Sequence, residues 1–304
     1  MEKFIELGQD MAQLWAAHWD RYLAGIGNTL ALAVVATVIG CVIGLLCGIL
    51  NTIPYTKRDP IIKRFFLKLI RVVVRIYVEV FRGTPMVLQA VFIYYGLPFF
   101  TNEQVMFRGN GGLWLAAIIV VSINTGAYMA ETVRGGILSI DPGQTEGAKA
   151  IGMTHVQTMT SVILPQAFRN ILPQVGNNFI INIKDTSVMF VIGFVEFFGV
   201  HRNIVGNNYM YFQSAAIEML GYLTMTLVFS FVLRRVERLL AGPSSYKLAA
   251  ALPRAMAAGT YRHPKKGHAP EDRNREYRER LKKEERERLR QAPKQGQNRG
   301  GTLR

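Results

Sequence analysis

Lys184, Asp185, Thr186 and Ser187 place a cation, an anion and two hydroxyls within about one helical turn, inside a stretch otherwise apolar enough to be buried in lipid. Charge at membrane depth is costly and marks function by default. A solute carrying both a carboxylate and an ammonium finds a partner for either end here. The alternative is that Lys184 and Asp185 pair with other buried groups, or that one of them reaches the interface. Gln89 and Asn124 lie in two further apolar runs, where their amides either line the same path or link helices by hydrogen bonds. Catalytic chemistry finds no comparable footing. The five histidines are scattered, and no Ser-His-Asp or paired-carboxylate spacing occurs. Cys41 and Cys47, six apart on different faces of one apolar segment, specify neither a disulfide framework nor a metal site. No enzyme activity, metal or cofactor is expected.

Groups of this kind require membrane helices to hold them. The chain has 304 residues, 50% hydrophobic and 19% charged, with the apolar residues gathered before Gly242 and a Lys/Arg-rich segment after it. Five stretches approach the roughly 20 apolar residues a crossing needs: 26–50, 84–100, 113–133, 179–198 and 215–233. The expected fold is therefore an all-α membrane protein of about five transmembrane helices, with residues 26–242 as the membrane domain. Residues 1–25 lack the basic start of a signal peptide and form an N-terminal segment ahead of the first span. Eight lysines and arginines lie between Lys57 and Arg82, against single arginines in the loops near 101–112 and 199–214. The positive-inside rule then places the N-terminus outside and the C-terminus in the cytoplasm.

Local patterns refine this picture. Gly40, Gly44 and Gly48 form a double G-x-x-x-G face that admits a close neighbour, read as packing within the chain rather than a dimer seam. Arg64, Lys68, Arg71 and Arg75 recur at helical spacing against Phe65, Leu69, Val72, Val73 and Ile76, a basic amphipathic helix suited to the inner leaflet. Glu79 is spaced to pair with Arg75 or Arg82, and Glu131 with Arg134. Between the third and fourth spans, Asp141-Pro142-Gly143 opens a turn and Gln144–Ile151 reads as a short helix. Gly152 suits a left-handed cap. Thr154 and Gln157 have capping-box spacing for a second helix, which Pro165 should end at Leu164. Two short helices hinged at a glycine make a rigid docking surface; the plainer alternative is a capped connector.

In that loop Glu146-Gly147-Ala148, then Gly152, then Ile163-Leu164-Pro165 resembles the cytoplasmic loop of importer-type ABC transporter permeases. Residues 77–89 (YVEVFRGTPMVLQ), 127–152, 163–173 (ILPQAFRNILP) and 183–188 (IKDTSV) are similar to the polar amino-acid branch of that family. The resemblance covers about residues 22–240. Two departures stand out: Gly147 replaces the usual alanine, loosening the loop helix by up to about 1 kcal/mol, and Val188 stands where leucine is commoner. The resemblance implies a permease subunit of an amino-acid importer. Glu146, Ala148, Gly152, Leu164 and Pro165 would couple it to a cytoplasmic ATP-binding subunit. It also implies an extracytoplasmic solute-binding protein and a second permease subunit, identical or not. The chain itself carries no G-x-x-x-x-G-K-[ST] phosphate loop.

The net charge of +15 comes mostly from residues 243–304, a basic cytoplasmic tail read as either a solvated helix or a disordered segment. Beside hydrophobic spans, such charge favours anionic membrane lipid over nucleic acid. A self-sufficient secondary carrier or channel is the rival reading, but it predicts internal repeats or several charged spans.

Overall fold

The computed structural model describes residues 1–55, 59–102 and 106–240. The tail assigned to 243–304 lies outside the described residues. Eight helical elements make up the described part: α1 Glu2–Thr52, α2 Ile61–Gly83, α3 Met86–Phe100, α4 Gly109–Leu138, α5 Pro142–Ala150, α6 His155–Ile192, α7 Phe197–Asn208 and α8 Tyr211–Leu240. α1, α4 and α8 are each long and apolar enough to cross a membrane, and α6 with α7 forms a fourth candidate bent by 48°. α3 is apolar but shorter, and a π-helical turn at Phe92–Gly96 interrupts it.

The glycine face of α1 sets the central seam. A Cβ on Gly40 would lie 2.7 Å from Thr125, on Gly44 2.3 Å from Met129, and on Gly48 2.6 Å from Val133. Each step of four along α1 meets a step of four along α4, so the two helices run parallel with backbones almost in contact. The motif therefore serves packing within the chain. It also puts the C-terminal ends of α1 and α4 on the same side of the membrane domain. α1 begins well before the expected span, absorbing 1–25 as helix with a kink at His18 (φ −137°, ψ 19°).

α2 is the expected amphipathic helix. Leu67 and Val74 face inward, while Phe65, Phe66, Val72, Val73 and Ile76 are exposed. Arg71 ties α2 to the end of α1 by donating to the Ile53 carbonyl and stacking over the Tyr55 ring. Arg82, however, pairs across to Glu131 on α4 rather than with Glu79, and Arg134 adds a second contact to Glu131 at 3.5 Å.

Two expectations about the fourth span are corrected. Pro165 does not end the second loop helix. A π-helical turn at Met159–Ile163 precedes it, and its wider i→i+5 bonding accommodates a ring that has no N–H and crowds the preceding turn. The helix then continues through Pro165 to Asp185, and as a 3₁₀ segment to Ile192. The far end of the span is also not a straight run to Phe198. Gly193, at φ +87°, turns the chain before Glu196 caps α7.

Candidate functional site

The break between α2 and α3 builds one wall of a polar cavity. Thr84 and Pro85 are extended there, since proline disfavours helical geometry in the residue before it. Gln89 pins the break: its Nε2 donates to the Phe81 carbonyl (3.0 Å) and the Thr84 carbonyl (2.9 Å), and its Oε1 accepts from Asn124 (3.0 Å). Gln89 is thus an interhelical link, and Asn124 is both link and lining residue.

The cavity holds about 340 Å3 and is lined by Thr84, Asn124, Thr125, Tyr128, Asn178, Asn182 and Asp185, with Pro85, Met86 and Ile181. Its volume lies at the lower end of small-molecule sites, about 300–1,000 Å3. Asn182 is fixed by donating to Thr37 (2.7 Å) and Thr125 (3.0 Å). Asn178 donates to the Met129 sulfur at 2.9 Å. Among the described residues, no hydrogen bond or ion pair engages the Asp185 carboxylate.

The four residues of the charged group do not line the cavity together. Asp185 lines the cavity, whereas Lys184 is exposed and is not one of its lining residues. Thr186 is buried and spends its hydroxyl on the Ile183 carbonyl (3.1 Å). Ser187, half-buried on the 3₁₀ segment, does not line the cavity. A helical repeat of 3.6 explains this, because adjacent residues diverge by about 100° around the axis. The residues of this helix that line the cavity with Asp185 lie instead about one and two turns back, at Asn182 and Asn178. That period could have been read from Asn178, Asn182 and Asp185 in the sequence.

The loop helices form a second site. Asp141 caps α5 by accepting from Gly143 N (2.7 Å). Gly152, at φ +85°, closes α5 with the paired bonds of a Schellman end, Met153 N to Ala148 O (3.1 Å) and Gly152 N to Lys149 O (3.0 Å). The Thr154–Gln157 capping box is present. Ala148 is buried and seats α5, while Leu164 packs on a core of Met129, Val133, Ile137, Ile163, Ala167 and Ile171. Glu146, Gly152 and Pro165 are exposed. So are Ile151 (79%) and Val156 (68%), two apolar side chains either side of the glycine that composition alone did not single out. Gln166 and Asn170 of α6 reach back to Gln144 and Ser139.

A chain with this parallel seam, this capped loop and this continuous α6 matches the family model of the binding-protein-dependent transport system inner membrane component over residues 40–242. The chain belongs to that family. It is a multi-pass protein of the cytoplasmic membrane. Permeases of this family with curated names are similar through most of their length. The glutamine transport system permease protein of Escherichia coli is 37% identical over 227 residues, 74% of this chain and 96% of that protein. The arginine transport system permease protein of Bacillus subtilis is 33% identical over 219 residues, 71% of this chain and 90% of that protein. Among solved structures, an amino acid ABC transporter with histidines is 35% identical, covers 73% of this chain and 95% of the solved one, and superposes with a TM-score of 0.63. The MetNI methionine ABC transporter, at 19% identity and a TM-score of 0.58, shares the fold.

Proposed function

We propose that this permease is the membrane subunit of an ATP-driven importer of polar amino acids, with ATP hydrolysed on a separate cytoplasmic subunit. One observation carries the reading. A single helix, α6, runs unbroken in helical geometry from the capped loop at His155 to Asp185 in the polar cavity, about 45 Å at 1.5 Å per residue. A push on α5 and the start of α6 therefore travels along one continuous helix, through the π turn and Pro173, to Asn178, Asn182 and Asp185, with its start bedded on the close-packed core beneath Leu164.

The chemistry of the cavity suits an amino-acid zwitterion. Asp185 supplies a carboxylate for the ammonium group, and the Asn178 N–H left over from its bond to Met129, with the Tyr128 hydroxyl, supplies donors for the carboxylate end. Ile151, Val156 and Glu146 offer an apolar pair beside an acid for the cleft of the ATP-binding subunit. The parallel α1–α4 seam places the basic loop and the docking loop on one side, which supports a cytoplasmic position for both and an outer N-terminus. A solute-binding protein delivers from the opposite side, and a second permease subunit completes the path. Relatives named for glutamine and arginine transport support the substrate class.

The test is uptake of labelled polar amino acids into vesicles holding this chain, its ATP-binding subunit and its solute-binding protein. Uptake should require ATP and all three, and Asp185→Asn should raise the substrate concentration needed. Uptake by the chain alone, indifferent to ATP, would mean a secondary carrier.

A further inference from the structure

A second cavity, of about 310 Å3, opens between the end of α1, α2 and α4, and is lined by Asn51, Arg71, Arg75, Glu79, Glu131 and Arg134 among others. Its charge is uneven. The Glu131 carboxylate is already shared between Arg82 and Arg134, and Arg71 is held by the Ile53 carbonyl and the Tyr55 ring. Arg75 has no hydrogen bond or ion pair among the described residues, although Glu79 stands one turn away. Three arginines thus face a concave site in which Glu79 is the one carboxylate not already bonded to an arginine.

Position narrows what could fill it. Asn51 is the next-to-last residue of α1, so the cavity sits where the apolar run ends and the membrane surface begins. The parallel seam puts it on the side of the α5–α6 loop. One residue on from Arg71, Arg75 and Glu79 are Val72, Ile76 and Val80, exposed by 52%, 58% and 47%. On a helix they form a strip about 100° around from these lining residues. A cationic pocket at the interface, bordered by an outward apolar strip, matches a phosphate headgroup with its acyl chains attached. A free anion would use the pocket and leave the strip uncovered. We propose that this cavity holds the headgroup of an anionic phospholipid of the inner leaflet, with Arg75 and Arg134 as its phosphate ligands.

Binding of phosphatidylglycerol to the purified full-length chain, followed by native mass spectrometry against a phosphatidylcholine background, tests the proposal. Each surface arginine contributes about 1 kcal/mol toward anionic lipid, roughly fivefold in affinity. Arg75→Gln should weaken one tightly held phosphatidylglycerol about fivefold, and Arg75→Gln with Arg134→Gln more. Arg64→Gln with Lys68→Gln removes equal charge from the same helix roughly 10–17 Å along it from Arg75, beyond a Debye length of about 8 Å, and should change the affinity of the lipid in the cavity by less than about twofold. Glu79→Gln should strengthen binding, an outcome that misfolding cannot mimic. All variants keep the same basic tail, so its contribution cancels. The proposal is overturned if the Arg64/Lys68 pair matters as much as Arg75/Arg134, if Glu79→Gln has no effect, or if inorganic phosphate displaces the lipid as well as phosphatidylglycerol does.

Discussion

Two buried polar clusters share this membrane domain and differ in one respect. Around Glu196, nearly every group is spoken for. Its carboxylate accepts from Thr29 (3.1 Å), Tyr222 (2.7 Å) and the Gly199 amide (2.9 Å), and Ser214 meets both Tyr22 (3.0 Å) and His201 (2.9 Å). One oxygen of the nearby Glu218 is the exception. Around Asp185, the amides of Asn178 and Asn182 are anchored but the carboxylate itself is open to a cavity. A satisfied network fixes geometry, since each partner's loss leaves a buried group unpaired. An acid held open by anchored neighbours is what the proposed substrate site requires.

The contrast is sharpened first where the effect is largest. Glu196→Ala strips three bonds at once, one of them a helix cap, and should lower stability by about 3 kcal/mol, read as a fall in the unfolding midpoint of the purified chain. Substrate affinity of the surviving folded fraction should hold. Asn182→Ala should show a mixed result, because the residue belongs to both worlds: about 2 kcal/mol of stability lost with Thr37 and Thr125 unpaired, together with weaker uptake. Asp185→Asn should leave the midpoint within about 0.5 kcal/mol of the parent. It should raise KM for uptake about tenfold, the loss of one charge-assisted hydrogen bond. Tyr22→Phe is the mildest, removing one hydroxyl from a network with other partners, and should cost about 1 kcal/mol with transport kinetics unchanged.

The sequence spoke most clearly where the causes were local. The ends of α5, the Gly152 turn and the Thr154–Gln157 box follow from residues three or four apart, and all three are present. The amphipathic α2 was equally plain, and the glycine face of α1 announced a close neighbour without naming α4. Pro165 misled because the π turn that admits it belongs to packing against the core rather than to the residues flanking the proline. The cavity was half legible. Asp185 and Asn124 stand out as polar residues in apolar runs, but adjacency in the chain does not reveal that Asp185 lines the cavity and Lys184 does not. Glu196 has no local signature, because its partners Thr29 and Tyr222 are 167 and 26 residues away.

The account stands on the loop as the point where force enters α6. Ile151→Glu combined with Val156→Glu alters two exposed side chains and leaves the core under Leu164 alone, so the chain should fold as before. Amino-acid uptake per ATP hydrolysed, measured in vesicles with the ATP-binding and solute-binding partners, is the most direct measurement. The account predicts that this double substitution releases the ATP-binding subunit and abolishes uptake while the unfolding midpoint stays put. Full ATP-driven uptake with the loop so altered would contradict it.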